Sequence, residues 1–323
     1  MLAQTMSALD VRGGGCYVDL TFGGGGHSRA VLSALSAQQD KGGGRLFSFD
    51  RDIDALRNAE RDDFWRGEEE SGRWKFVHGN FRYMRQFLDY YGVYAYDPQI
   101  EGSGVDGVLA DLGVSFHHFD EAERGFSFRY EAPLDMRMNR EGGQTAADVV
   151  NKYDEQRLAD IFYLYGELKN GRQLARKIVS SRAAAPILTT TDLLRVAANG
   201  HYSTADGITV VDSFLKKDMA RLFQALRIEV NDETGALRDM LEAGLAMLRP
   251  QGKFVVLTYH SLEDRLVKSF FKAGNAEGTI EKDFYGNIIS PFEPKPLYLT
   301  ASNEEIERNP RSRSAKLRAA VKK

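Results

Sequence analysis

The sequence is poor in cysteine, in long apolar runs and in anything resembling a secretory leader. Its 323 residues include a single cysteine, Cys16. That excludes an internal disulfide framework and a multi-cysteine zinc site. No segment comes near the roughly 18 uninterrupted apolar residues of a membrane span, and charged residues make up 28% of the chain. The opening segment, MLAQTMSALDVRGGG, has no basic region followed by an apolar stretch, so no signal peptide is expected. These absences point to the cytoplasm, to no membrane partner and to no metal. What is present is a 42% hydrophobic content, enough for one large core or two domains.

The formal net charge of −3 argues mildly against a nucleic-acid partner. Its distribution qualifies that. The last thirteen residues, RSRSAKLRAAVKK, carry six basic side chains and no acidic one, and KNGRQLARKIVSSR (Lys169–Arg182) is a second basic run. Basic patches on an acidic chain can form a phosphate footprint. A solubilising helix face and a basic tail explain the same pattern.

Short apolar runs alternate with helical spacing early in the chain. Strands are expected at Tyr17–Leu20, Arg45–Asp50, Lys75–His78 and Val105–Gly113, with amphipathic segments such as SRAVLSAL between them. Such alternation implies a parallel sheet with helices on both faces, with ligands at the carboxyl ends of the strands. From about residue 116 to 215 the pattern is mainly helical. A buried strand at Lys253–His260 and strand candidates in PLYLT and AKLRAAVK follow. The expected organisation is therefore a sheet domain in two parts, 1–115 and 216–323, with an inserted helical substrate-recognition domain at 116–215. DKGGGR (40–45) and RGEEESGR (66–73) read as solvated loops.

Four glycines, Gly23 to Gly26, follow the first strand in YVDLTFGGGGHS. Glycine loses the most backbone entropy on folding, so four together imply that something approaches the backbone closely. A triphosphate would want lysine and a hydroxyl after the glycines, where His27 and Ser28 stand. A dinucleotide motif would want glycine where Ser28 is. S-adenosylmethionine is the third candidate. Asp19 at the end of strand one can order the loop or meet its ammonium, Asp50 can take both ribose hydroxyls, and Asn80 and Phe81 can meet the adenine. Asp111 ends strand four at the same rim, where an acceptor substrate would meet the donor. A glycine turn packed on the sheet and a capping aspartate are the structural alternatives.

Longer strings carry a resemblance. VDLTFGGGGHS, DLGVS with DEAERGFSF and PLDMRM behind it, FQALRIEVN, YHSLEDRLVK and NPRSRSAKLR resemble the small-subunit ribosomal RNA methyltransferase H family, from about Met6 to Ala320. The resemblance implies a class I, Rossmann-like, S-adenosylmethionine-dependent methyltransferase with a helical insertion. It implies methylation of the exocyclic 4-amino group of a cytidine in the decoding region of 16S rRNA, within the small ribosomal subunit, and leaves a homodimer open. By position it puts cofactor contacts on Gly25, Gly26, His27, Asp50, Phe81, Asp111 and His118. At 118 many members carry glutamine.

The 4-amino lone pair of cytosine is delocalised into the ring, so acceptors aimed at its N–H groups would favour the transition state. Asp111 is the candidate for that catalytic role. Arg124, Arg137 and Asn139, in the aromatic-rich segment 124–139, are candidates for holding RNA, with a mixed loop buried against the insertion as the alternative. Arg311 and Arg313 could contact phosphate. His260 and Ser261 are candidate substrate contacts, although Ser261 with Asp264 also has capping-box spacing. Other readings are a methyltransferase with another substrate, a non-catalytic cofactor-binding assembly factor and a dehydrogenase. Methyl transfer to purified small subunits would separate them.

Overall fold

The computed structural model describes residues 1–38, 43–113, 124–139, 142–205, 207–294 and 296–323, with the backbone alone at Arg311. The chain forms two compact units, Met1–Gly113 with Gly235–Lys323, and Val114–Thr234.

The first unit is built on a seven-stranded sheet. Its strands in chain order are β1 (Cys16–Asp19), β2 (Arg45–Asp50), β3 (Trp74–His78), β4 (Val105–Asp111), β5 (Leu248–Thr258), β6 (Leu297–Thr300) and β7 (Lys316–Val321). Their spatial order is β3-β2-β1-β4-β5-β7-β6. All neighbours run parallel except β7, which is antiparallel to both β5 and β6. This is a Rossmann-like α/β arrangement, as the alternation of strand and helix predicts. Every residue of β1 is buried, as expected of a strand covered on both faces. The period-2 alternation of a strand divides its side chains between two cores. Cys16 and Val18 join Phe47, Phe49, Phe254 and Phe271 on one face. Tyr17 joins Leu46, Leu32, Trp65 and Trp74 on the other.

The second unit has its own core, including Leu158, Phe162, Ile178, Leu194 and Leu226. Its helices are Ala146–Lys152, Glu155–Leu164, Gly171–Arg182, Thr190–Ala198 and Lys216–Asn231. Thr145 with Asp148, and Thr189 with Asp192, form capping boxes that satisfy orphan N–H groups at two helix starts. A hairpin, Tyr202–Ala205 paired with Ile208–Val211, interrupts the helices.

Three expectations need correction, and one element was not anticipated. The second domain boundary falls at residue 234 rather than 215, because Met219, Leu222, Phe223 and Leu226 of helix Lys216–Asn231 are buried in the second unit's core. RGEEESGR is not a solvated loop. Its first half completes helix Asp63–Glu70, and buried Glu68 accepts from Arg73. An additional helix, Leu2–Leu9, packs Leu9 into the core. The basic C-terminal run is largely not a free tail: Lys316 and Arg318 lie on β7 and donate to Asp264, while Lys322 Nζ donates to the carbonyls of Leu245 and Leu248.

Candidate active site

The carboxyl edge of the sheet gathers Asp19, Asp50 and Asp111 from the ends of β1, β2 and β4. Their surroundings assign them different tasks. Asp19 is fully buried. Its carboxylate accepts from Ser28 Oγ at 2.7 Å and from the Thr21 amide at 3.1 Å. Ser28 Oγ also lies 2.7 Å from Ser48 Oγ, which accepts from Trp74 Nε1 at 2.9 Å. Burial pushes the Asp19 carboxyl above its ordinary pKa, against the favourable charge of His27 and the Ser28 hydrogen bond. Asp19 therefore orders the loop, the first of the two roles its position allows.

Asp50 holds the same loop from the other side. Its Oδ2 accepts from the Gly23 amide at 2.8 Å and its Oδ1 from the Asp52 amide at 2.9 Å. It ends β2 at the sheet edge, the position expected to meet a ligand's ribose hydroxyls.

The glycines divide into two kinds. Gly23 and Gly25 have φ of +52° and +76°, where only glycine is unstrained. A Cβ on Gly25 would sit 2.5 Å from Trp65 Cζ2 and 2.9 Å from Phe22 Cζ. What crowds that glycine is the protein's own aromatic cluster, not a ligand. At Gly24 and Gly26 nothing lies within 4 Å of the Cβ position. Gly26 opens helix Gly26–Ser36, whose first-turn N–H groups lack intrahelical partners and suit a carboxylate.

Asp111 is tied in place through its backbone, whose N–H donates to Thr21 Oγ1 at 2.6 Å. Its Oδ2 is 3.6 Å from His27 Nδ1, an electrostatic contact rather than a hydrogen bond. Among the described residues, the buried atoms Asp111 Oδ1 and His27 Nε2 have no hydrogen-bond partner. Buried polar atoms normally find partners, so two such atoms on facing side chains mark a place for a polar ligand. Tyr259, the first residue after β5, places its ring 3.0 Å from the Cβ position of Gly113 and lies close to the Asp111 charge. Burial first, and the Asp111 charge second, push its phenol far above the ordinary tyrosine value, so it stays neutral. The sequence reading missed Tyr259 and Thr21. The available signal for Tyr259 was its place at the end of β5, equivalent to that of Asp111 on β4.

Phe81 begins the single 3-10 turn Phe81–Tyr83 after β3 and packs partly against the first core. Asn80 is its cap, accepting from the Arg82 amide at 3.1 Å, so its carbonyl oxygen is engaged by the backbone. His118 lies outside the described residues.

Several substrate candidates are engaged otherwise. Arg124 is 4% exposed and donates to the carbonyls of Arg137 and Met138, so it braces its own loop. Arg137 forms a two-pronged pair with Asp135, Nε–Oδ1 and Nη2–Oδ2 both at 2.8 Å. Phe126 is buried and Phe128 packs on the same core, as the buried-loop alternative requires. Asn139 and Arg313 are exposed. Arg311's side chain is not described. At the start of helix Ser261–Ala273 the cap is His260 rather than Ser261: its Nδ1 accepts from the Glu263 amide at 3.5 Å, while Glu263 Oε2 accepts from the Tyr259 amide at 3.0 Å. The capping register is thus one residue earlier than the Ser261–Asp264 spacing predicts. Ser261 is exposed, and Asp264 is drawn to Lys316 and Arg318 instead.

The profile of the MraW methylase family matches residues 1–323. A protein of Phocaeicola vulgatus named ribosomal RNA small subunit methyltransferase H is 51% identical over 324 residues, covering 100% of this chain and 96% of that one. Its namesake in Parabacteroides distasonis is 51% identical over 323 residues with the same coverage. Among solved structures, a putative rRNA-methylase from Clostridium thermocellum aligns over 100% of this chain and 97% of that one, at TM-score 0.43 and 13% identity. That structural likeness is too distant to decide ligand or substrate.

Proposed function

The chain belongs to the MraW methylase family, and from that premise we propose that it transfers the methyl group of S-adenosylmethionine to the 4-amino group of a cytidine in small-subunit ribosomal RNA. The observation that carries this reading is the pair of buried atoms, Asp111 Oδ1 and His27 Nε2, without partners among the described residues, beside an open glycine turn at one sheet edge. Relatives named for small-subunit rRNA methylation support the substrate.

The residues present fit the cofactor. The space beside Gly24 and Gly26 admits its amino-acid end, with the first-turn N–H groups to receive the carboxylate. Asp50 ends β2 where ribose hydroxyls would lie, and Phe81 follows β3. Three carboxylates at one edge favour a cationic ligand. When bound, the cofactor supplies an electrophilic methyl group on a sulfonium.

The protein's own contribution is orientation and charge. Asp111, held through its backbone by Thr21, presents its carboxylate to the amine of the incoming base. As the amine loses its ring delocalisation it gains positive charge, and a fixed carboxylate favours that state over the planar ground state. The target base has to leave its stack to be reached. His260, Ser261, Asn139 and Arg313 remain candidate contacts to the RNA.

The test is transfer of tritium from methyl-labelled S-adenosylmethionine to purified small subunits lacking the mark. We expect stoichiometric label on a cytidine. Cofactor binding without any transfer would leave an assembly factor, and transfer only to protein or a small molecule would overturn the rRNA substrate.

A further inference from the structure

The basic run Lys169–Arg182 is not used by the site described above. It forms helix Gly171–Arg182, which buries Leu174, Ala175 and Ile178 in the second unit. Its opposite stripe, Arg176, Lys177 and Ser180, has the i, i+1, i+4 spacing of one helix face. Helix Thr190–Ala198 carries Arg195 on its exposed side, and Asn199 follows four residues later. These residues line one concavity of about 570 Å³, walled by Pro186 in the connection between the helices.

The lining holds three cations and one carboxylate, Asp192, on a chain whose net charge is −3. Asp192 is already occupied: it accepts from the Thr189 and Leu188 amides and lies 3.0 Å from Arg195. Capping bonds hold its pKa below the usual carboxylate value in spite of its partial burial. Glu155, outside the lining, is 3.5 Å from Arg176 Nε. Both arginine side chains stay well exposed, 80% for Arg176 and 65% for Arg195, and Lys177 has no acidic partner among the described residues. Such pairs are weak and exchange readily for a stronger anion.

The lining has no aromatic side chain on which a base could stack. It offers exposed cations with two serine hydroxyls and an amide beside them, the groups that contact phosphate and sugar and carry no base information. We propose that this groove holds the phosphate backbone of the RNA substrate and sets its position without reading its sequence. The inference rests on the rRNA reading above.

The test is the triple variant Arg176→Gln, Lys177→Gln, Arg195→Gln, which keeps good helix formers on exposed positions. Circular dichroism is expected to be unchanged. KM for small subunits should rise about tenfold with kcat within about twofold, as for lost uniform binding. The slope of log affinity for naked decoding-region RNA against log salt should shrink by about 2 to 3. Arg176→Lys with Arg195→Lys should retain the slope. An unchanged KM and slope, in a preparation whose wild type is active, overturn the groove. So does an affinity loss for assembled subunits but not for naked RNA, which would mean a protein contact. A wild type that binds RNA with the expected slope yet transfers no methyl group overturns the enzyme reading and leaves the groove standing.

Discussion

Gly25 and Gly26 are adjacent and answer to different constraints. Gly25 needs a left-handed backbone and has Trp65 and Phe22 where a side chain would go. Gly25→Ala should therefore destabilise the fold by about 2 to 4 kcal/mol, read by urea unfolding, from combined backbone strain and overpacking. Gly26 has open space around its Cβ position and lies in a helix. Gly26→Ala should leave stability unchanged or raise it by about 0.5 to 1 kcal/mol, yet weaken S-adenosylmethionine binding roughly tenfold or more, ~1.4 kcal/mol, in calorimetric titration. Undiminished cofactor affinity in that variant would remove the ligand from this turn. At Asp111, substitution by Asn keeps shape and removes charge. We expect kcat to fall about 10²-fold or more with a smaller change in cofactor Kd. Tyr259→Phe removes the neutral phenol hydroxyl close to Asp111; kcat should fall about tenfold and cofactor Kd should hold. A loss confined to KM would reassign Tyr259 to substrate binding.

The last strand shows what an element adds to its residues. Read by itself, RSRSAKLRAAVKK is a basic run. On β7, Lys316 and Arg318 alternate with buried Leu317 and Ala319, so both cations project from one face toward Asp264, 2.9 and 2.7 Å away. Burial would raise the Asp264 carboxyl, and hydrogen bonds from Arg318 and Lys316 outweigh it and hold it below its ordinary value. A carboxyl with a depressed folded-state pKa stabilises the protein above its unfolded value of about 3.9, and that contribution is lost as pH falls through the folded value. Arg318→Gln should lower stability by about 1 to 3 kcal/mol at pH 7. Its loss of stability on acidification from pH 5 to 3 should be shallower than the wild type's, measured by urea unfolding at each pH. Equal slopes would show that Lys316 alone sets the Asp264 titration. Elements were legible in the sequence where periodicity was strong. Arg45–Asp50 is a strand to the residue. The start of helix Ser261–Ala273 was legible in place but not in register, because histidine can cap and the Ser-x-x-Asp spacing only resembles a capping box.

At the scale of the molecule, the sheet unit holds two hydrophobic clusters of its own and the helical unit holds one. Calorimetry is expected to resolve two transitions. S-adenosylhomocysteine at about 100 times its Kd should raise the sheet unit's transition alone, by about 2.7 kcal/mol of added stability. A single transition shifted as a whole would show that the units unfold together. The sequence by itself determined the alternation of strand and helix, the interruption by a helical block, the acidic residues at successive strand ends and the family. These are written in patterns that repeat every two to four residues, or in strings long enough to be specific. Tertiary structure alone decided which charges are free. Arg124 and Arg137 are held within their own loop, Arg318 is claimed by an aspartate 54 residues away, and Asp111 meets Tyr259 only because β4 and β5 lie side by side. A charged side chain takes whatever partner packing brings within a few ångströms, and that partner is set by contacts between distant segments.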